Sequence, residues 1–105
     1  MDFDLNYFAY FVAIVEHNGF TRAAAELGVS KSRLSRAVAE LERCLGTRLV
    51  ERTTRHVAIT NEGWAFYKHC HAIVSAADSA YQCIEAIREK SVDHDAGNSA
   101  NQTCR

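Results

Sequence analysis

Proline does not occur once in these 105 residues. A chain without it holds no residue that breaks a helix interior, which suits a mostly helical protein. Long hydrophobic runs are missing as well. The longest unbroken apolar stretch, Tyr7 to Val15, is far short of the roughly 20 residues that a membrane span needs. The N-terminus, Met-Asp-Phe-Asp, lacks the positive charge with which a secretory signal begins. A cytoplasmic protein with no membrane segment is expected. Cysteine is present but unpatterned. Cys44, Cys70, Cys83 and Cys104 form no CxxC pair and resemble no zinc or disulfide framework, so inert, reduced thiols are expected. His69 and His71 flank Cys70, yet positions i and i+2 of a helix do not face each other, and no metal is expected there. No glycine-rich phosphate loop and no Ser-His-Asp or Cys-His pairing stands out. Neither an enzyme nor a cofactor is expected.

The formal net charge is only −1, but it is unevenly spread. From Phe20 to Thr60 eight basic residues (Arg22, Lys31, Arg33, Arg36, Arg43, Arg48, Arg52, Arg55) stand against four acids (Glu26, Glu40, Glu42, Glu51). The rest of the chain is acidic. A basic middle between acidic ends is the pattern of a localised phosphate-binding face.

Apolar residues at 5, 8, 11, 12 and 15 mark one face of a helix over Leu5–Glu16, with Asp4 as its cap and Asn18-Gly19 as its end. Thr21 is read as the N-cap of a short second helix, Arg22 to Leu27, which Gly28 ends. Ser30 caps a third helix to about Cys44, with Leu34, Val38, Leu41 and Leu45 on its buried face and Gly46 after it. Leu49-Val50 and Val57-Ala58-Ile59 are strand-like. The polar stretch between them reads as the tip of a hairpin. Thr60 then caps a helix running to about Lys90. In it Phe66, Cys70, Ile73, Ala77, Ala80, Ile84 and Ile87 step alternately by four and three, a heptad seam, widened by Tyr67, Val74 and Tyr81. From Val92 on the chain is polar, and disorder is expected. The expected segments are therefore 1–60, a small head of three helices and a hairpin; 61–90, a long helix; and 91–105, a disordered tail. Trp64, Phe66 and Tyr67 are expected in core or dimer contacts rather than stacked on bases.

Thr21 to Val38 carries the functional signal. Ala24 is the small residue where two helices cross, Gly28 is the turn, and Leu27, Val29, Leu34 and Val38 lock the angle. This is a helix-turn-helix layout. Its second helix exposes Lys31, Ser32, Arg33, Ser35 and Arg36, all able to hydrogen-bond and three of them cationic. The first turns of such a helix meet base edges in the major groove.

The run Phe20 to Ser30, then Leu34-Ser35-Arg36, Leu41-Glu42, Leu45-Gly46, Leu49 to Arg55 and Thr60-x-x-Gly63 together resemble the signature of LysR-type transcriptional regulators over about residues 2–90. That resemblance implies a mainly α winged helix-turn-helix domain followed by a long dimerisation helix. It implies sequence-specific binding of double-stranded DNA as a homodimer, and regulation of transcription. By position it makes Lys31, Ser32, Arg33, Ser35 and Arg36 recognition residues, Thr21 a phosphate-contacting cap, and Arg52, Thr53 and Arg55 wing contacts. The dimer interface falls on Phe66, Tyr67, Ile73, Val74, Ala77, Ala80, Tyr81, Ile84 and Ile87. Two positions depart from the pattern. Lys31 stands where the family commonly has glutamine, which reads adenine bidentately as lysine does not. Val50 replaces a usual phenylalanine at the wing base. The family's large effector-binding domain has no counterpart in these residues, so no small-molecule effector is expected for this chain. The alternative function is a protein-interaction module that pairs with a full-length relative through the linker helix. The operator, the target genes and the choice between activation and repression are not written in the sequence.

Overall fold

A computed structural model describes residues 4–52 and 57–93, the last three as backbone only. Its elements, in order, are α1 (Asn6–His17), α2 (Phe20–Leu27), α3 (Lys31–Leu45), β1 (Val50–Arg52), β2 (Val57–Ile59) and α4 (Asn61–Asp93). The strands pair antiparallel, with Val50 opposite Ile59, Glu51 opposite Ala58 and Arg52 opposite Val57. This is the winged helix-turn-helix architecture expected, mainly helical with a two-stranded wing. The chain divides into two units, Met1–Ala72 and Ile73–Arg105, with α4 beginning in the first and continuing through the second.

In the first unit the core is built from the apolar faces that the spacing marks. Phe11 and Ile14 of α1, Leu34, Val38 and Leu41 of α3, Leu49 and Val50 are all fully buried. Each such side chain stabilises the fold by about 1.5–3 kcal/mol relative to exposure. Ala23 and Ala24, at 0% and 7% exposure, let α2 pack closely on its neighbours. Val50 is 1% exposed, so the smaller residue at the wing base is a core residue all the same. Phe66 of α4 joins this core, with its ring centre 5.6 Å from that of Phe11 and 6.0 Å from that of Phe8.

The helix boundaries follow local chemistry. Asn18 takes a left-handed conformation, φ 62°, and ends α1. Asp4 Oδ1 accepts from the Asn6 amide at 2.8 Å, at the start of that helix. Gly28, with φ 71°, ends α2, and the amides of Gly28 and Val29 both donate to the Ala24 carbonyl. This is the tight turn of the helix-turn-helix, and its positive φ suits glycine. Thr60 caps α4, its Oγ1 accepting from the Gly63 amide at 2.8 Å.

Several expectations are corrected. Thr21 is not a cap. α2 begins two residues earlier, after Gly19, with no side-chain cap, because starting at Phe20 turns that ring into the core at 6% exposure. Leu45 is 42% exposed. It is the last residue of α3, where Gly46 turns the chain away. β1 begins at Val50 rather than Leu49, and α4 runs to Asp93 rather than Lys90. Cys44 and Cys70 are free thiols, but Cys83 is disulfide-bonded. It is half-buried. The hairpin tip, with Thr53 and Arg55, and the expected tail from residue 94 onward lie outside the described residues.

Candidate nucleic-acid interface

The candidate interface is the outer face of α3. Its orientation is fixed from beneath, because Leu34, Ala37, Val38 and Leu41 are buried at the i, i+3, i+4, i+7 spacing of one helical face. That phase turns Lys31, Ser32, Arg33 and Arg36 to solvent and leaves Ser35 half-buried. Ser30 caps the helix with extended backbone (φ −78°, ψ 152°), and its Oγ accepts from the Arg33 amide at 3.1 Å. The first turn therefore begins at a defined residue. No acidic residue lies in it. Among the described residues Lys31, Arg33 and Arg36 take part in no ion pair. Three unneutralised cations at the positive end of a helix make a field suited to a polyanion.

The wing is tied to this helix at two places. At its base, Glu42 Oε2 accepts from the backbone amides of Leu49 at 2.8 Å and Val50 at 3.1 Å. Arg48 Nε stands 3.8 Å from the same oxygen. Further out, Arg52 Nη1 donates to Ser35 Oγ at 2.9 Å. The same guanidinium lies 4.4 Å from the centre of the Phe20 ring, within cation–π range. The wing, α3 and α2 thus meet around one side chain.

The recognition residues expected from sequence therefore gather on one exposed surface, with Ser35 and Arg52 in direct contact. Thr21 is exposed in the first turn of α2. Thr53 and Arg55 lie outside the described residues. The roles of Glu42 and Phe20 were not legible beforehand. The only signal for Glu42 was an acid beside the apolar face of α3, seven residues before a strand. For Phe20 it was an aromatic residue at the start of a helix.

At the near end of α4 a second polar cluster joins that helix to α1. Tyr67 donates its hydroxyl to Glu16 Oε2 at 3.0 Å, and His71 Nε2 stands 3.8 Å from the same oxygen. Partial burial and then the carboxylate of Glu16 hold the Tyr67 phenol above its usual pKa. Trp64 packs edge-on to Tyr67, centroids 5.8 Å apart. Farther along α4 the seam side chains stand open, with Ile73 at 44%, Tyr81 at 68% and Ile84 at 52% exposure. Val74 and Ile87 are half-buried, and Ala77 and Ala80 are exposed. Among the described residues no helix is long and apolar enough to cross a membrane.

Residues 5–64 match the family model described as bacterial regulatory helix-turn-helix protein, lysR family. The chain is similar to the HTH-type transcriptional regulator BudR of Raoultella terrigena, 42% identical over 84 residues, which are 80% of this chain and 29% of that protein. It is similar as well to a probable hydrogen peroxide-inducible genes activator of Mycobacterium avium, 51% identical over 69 residues, or 66% of this chain and 22% of that one. The chain thus spans less than a third of the length of either relative. Among solved structures it resembles BenM_DBD in complex with catB site 1 DNA, with a TM-score of 0.74 and 37% identity, covering 82% of this chain and 97% of that one.

Proposed function

This chain belongs to the lysR family of bacterial regulatory helix-turn-helix proteins, and we propose that it is a DNA-binding regulator of transcription that reads double-stranded DNA by seating α3 in the major groove. The observation that carries this mode is the α3 face itself. Lys31, Ser32, Arg33 and Arg36 point outward together from a helix whose rotation is fixed by four buried residues. An α-helix fits the major groove, and arginine and lysine there donate to guanine O6 and N7. Thr21 at the start of α2 and the wing residues Thr53 and Arg55 complete the contact with the DNA backbone, while Arg52 joins the wing to α3 through Ser35. In this reading the protein works in the cytoplasm, where bacterial DNA is found.

In this reading the protein acts as a homodimer. Ile73, Val74, Ala77, Ala80, Tyr81, Ile84 and Ile87 recur at heptad spacing, and the large ones among them leave much of their apolar surface in water. A second copy of the same helix covers that surface with matching side chains. Phe66 and Tyr67, at the near end of the seam, are engaged with Phe11 and Glu16 of their own chain, so the pairing centres on the part from Ile73 onward.

The test is selection from a random pool of DNA duplexes on the purified chain, followed by affinity measurements over a range of salt. Enrichment of one sequence, with an affinity that falls steeply as salt rises, is the expected result. Enrichment of none, with salt-independent capture of a longer relative instead, would leave the helix of α4 as the functional part and α3 as a solvated face.

A further inference from the structure

Arg52 stands where three elements of the head meet. It is the last residue of β1, it donates to Ser35 Oγ of α3 at 2.9 Å, and it lies 4.4 Å from the ring centre of Phe20 in α2. Phe20 is only 6% exposed, so its ring is held by the core and offers the guanidinium a fixed face. A planar guanidinium resting on such a face keeps its donors in one orientation, and it carries no acceptor of its own. The Ser35 hydroxyl has one proton and two lone pairs. Receiving a charge-assisted bond occupies one lone pair, selects a rotamer and polarises the O–H. Among the described residues no atom accepts the Ser35 proton. Ser35 also adjoins Arg36 and lies one helical turn from Lys31 and Ser32, on the border of the exposed face.

We infer that Arg52 is a positioning residue for DNA recognition: it fixes the Ser35 hydroxyl as a hydrogen-bond donor aimed at an acceptor on DNA, instead of neutralising a phosphate itself. The inference rests on the reading of α3 as the DNA-contacting helix. The acceptor is a lone pair on oxygen or nitrogen at the DNA surface, and two sources offer one. A phosphate oxygen makes Arg52 and Ser35 matter equally on every sequence. A base acceptor, such as guanine O6 or N7, makes both matter at one base pair.

The experiment is a double-mutant cycle in the full 105-residue chain, with Arg52→Met and Ser35→Ala. Methionine keeps an unbranched stem over Phe20 and removes the donors. Affinities are measured on a labelled duplex selected from a random pool and on an unselected duplex of equal length, across a range of potassium chloride. Each single variant is expected to lose about tenfold on the selected duplex, the scale of one hydrogen bond to a charged group. The double variant is expected to lose no more than the weaker single, and the salt slope of Arg52→Met to match that of the wild type. Replacing the base pairs of the selected duplex one at a time assigns the acceptor. Loss of discrimination at one shared pair identifies a base, and equal loss on both duplexes identifies a phosphate. Losses that multiply in the double variant would overturn the inference, as would a salt slope flatter by about one, because Arg52 would then hold a phosphate alone. Thermal melts of every variant separate weakened binding from unfolding, and Arg52→Gln replaces Arg52→Met if the latter does not fold. If the wild type shows no preference for the selected duplex, the recognition-helix reading has failed. If it shows one and the cycle is additive, only the role of Arg52 has.

Discussion

Gly63 lies directly against Leu49. A Cβ at position 63 would overlap the Leu49 carbonyl oxygen and come within 2.7 Å of Ile59 Cγ2. The first turn of α4 therefore packs on the base of the wing at a distance that only a residue without a side chain allows. Alanine would ordinarily favour a helix over glycine by about 1 kcal/mol, but here overpacking outweighs that gain. Gly63→Ala is expected to destabilise the head by about 2 kcal/mol. Chemical denaturation followed by circular dichroism measures it, and an unchanged or raised midpoint would contradict the close packing.

Glu42 is expected to matter for folding rather than for DNA. Its carboxylate serves the amides of Leu49 and Val50, and an unserved buried amide costs about 1–3 kcal/mol. Glu42→Ala is expected to lose about 3 kcal/mol. Glu42→Gln, which keeps one carbonyl oxygen as acceptor, is expected to lose less. Amide hydrogen exchange gives the local readout: Leu49 and Val50 should exchange faster in the alanine variant while the amides of α1 keep their protection.

Arg33→Ala and Arg36→Ala are each expected to weaken binding to a selected DNA duplex by about 1–3 kcal/mol. Both side chains are exposed, so the melting temperature should move little. Variants that unfold instead would show that these arginines support the fold and that the rotation of α3 has been misjudged.

Cys70 supplies a pH dependence. Burial pushes its thiol from the ordinary 9.0 up to about 12. The folded state thus binds this proton more tightly than the unfolded chain. The stability it contributes is complete below pH 9 and is lost as pH rises toward 12. The denaturation midpoint should fall over that range, and fall less steeply in Cys70→Ala, which has no thiol to ionise. Parallel slopes for the two proteins would remove Cys70 from the effect.

The seam of α4 is expected to hold two chains together. Ile73→Asp combined with Ile84→Asp should give a monomer by sedimentation, with the head still folded. Wild-type chain that sediments as a monomer at micromolar concentration would rule out this pairing. Mixing with a longer relative then shows whether the same face prefers a different helix.

What could be read beforehand divides along a physical line. Gly28, Ser30 and Thr60 act on their own neighbours, within three or four residues, so turn, cap and cap were all visible in the spacing. The burial of Leu34, Val38 and Leu41 was visible because one helical period dictates it. The start of α2 was misread because Thr21 is the better cap by local chemistry, whereas the burial of Phe20 decides the matter through tertiary contact. Phe66 shows the same limit. A heptad pattern says that a side chain wants apolar company, not whose, and here Phe8 and Phe11 of the same chain supply it. The bonds from Glu42 to Leu49 and from Arg52 to Ser35 span seven and seventeen residues. No periodicity encodes such pairs, so the tie between wing and recognition helix emerged only with the fold.

Thr60 caps α4, but its hydroxyl has a second engagement: it donates to the Arg48 carbonyl at 2.7 Å while accepting from the Gly63 amide. In mechanical terms the hydroxyl is a rivet through two plates, the strand entering the wing and the first turn of the helix leaving it. A load that displaces the wing is borne by the helix start through this joint and through the Thr60 amide, which donates to the Leu49 carbonyl at 3.1 Å. Serine can make the same joint and valine, of nearly equal shape, cannot. Thr60→Val would remove the rivet and leave the backbone bond to Leu49 to hold the plates alone.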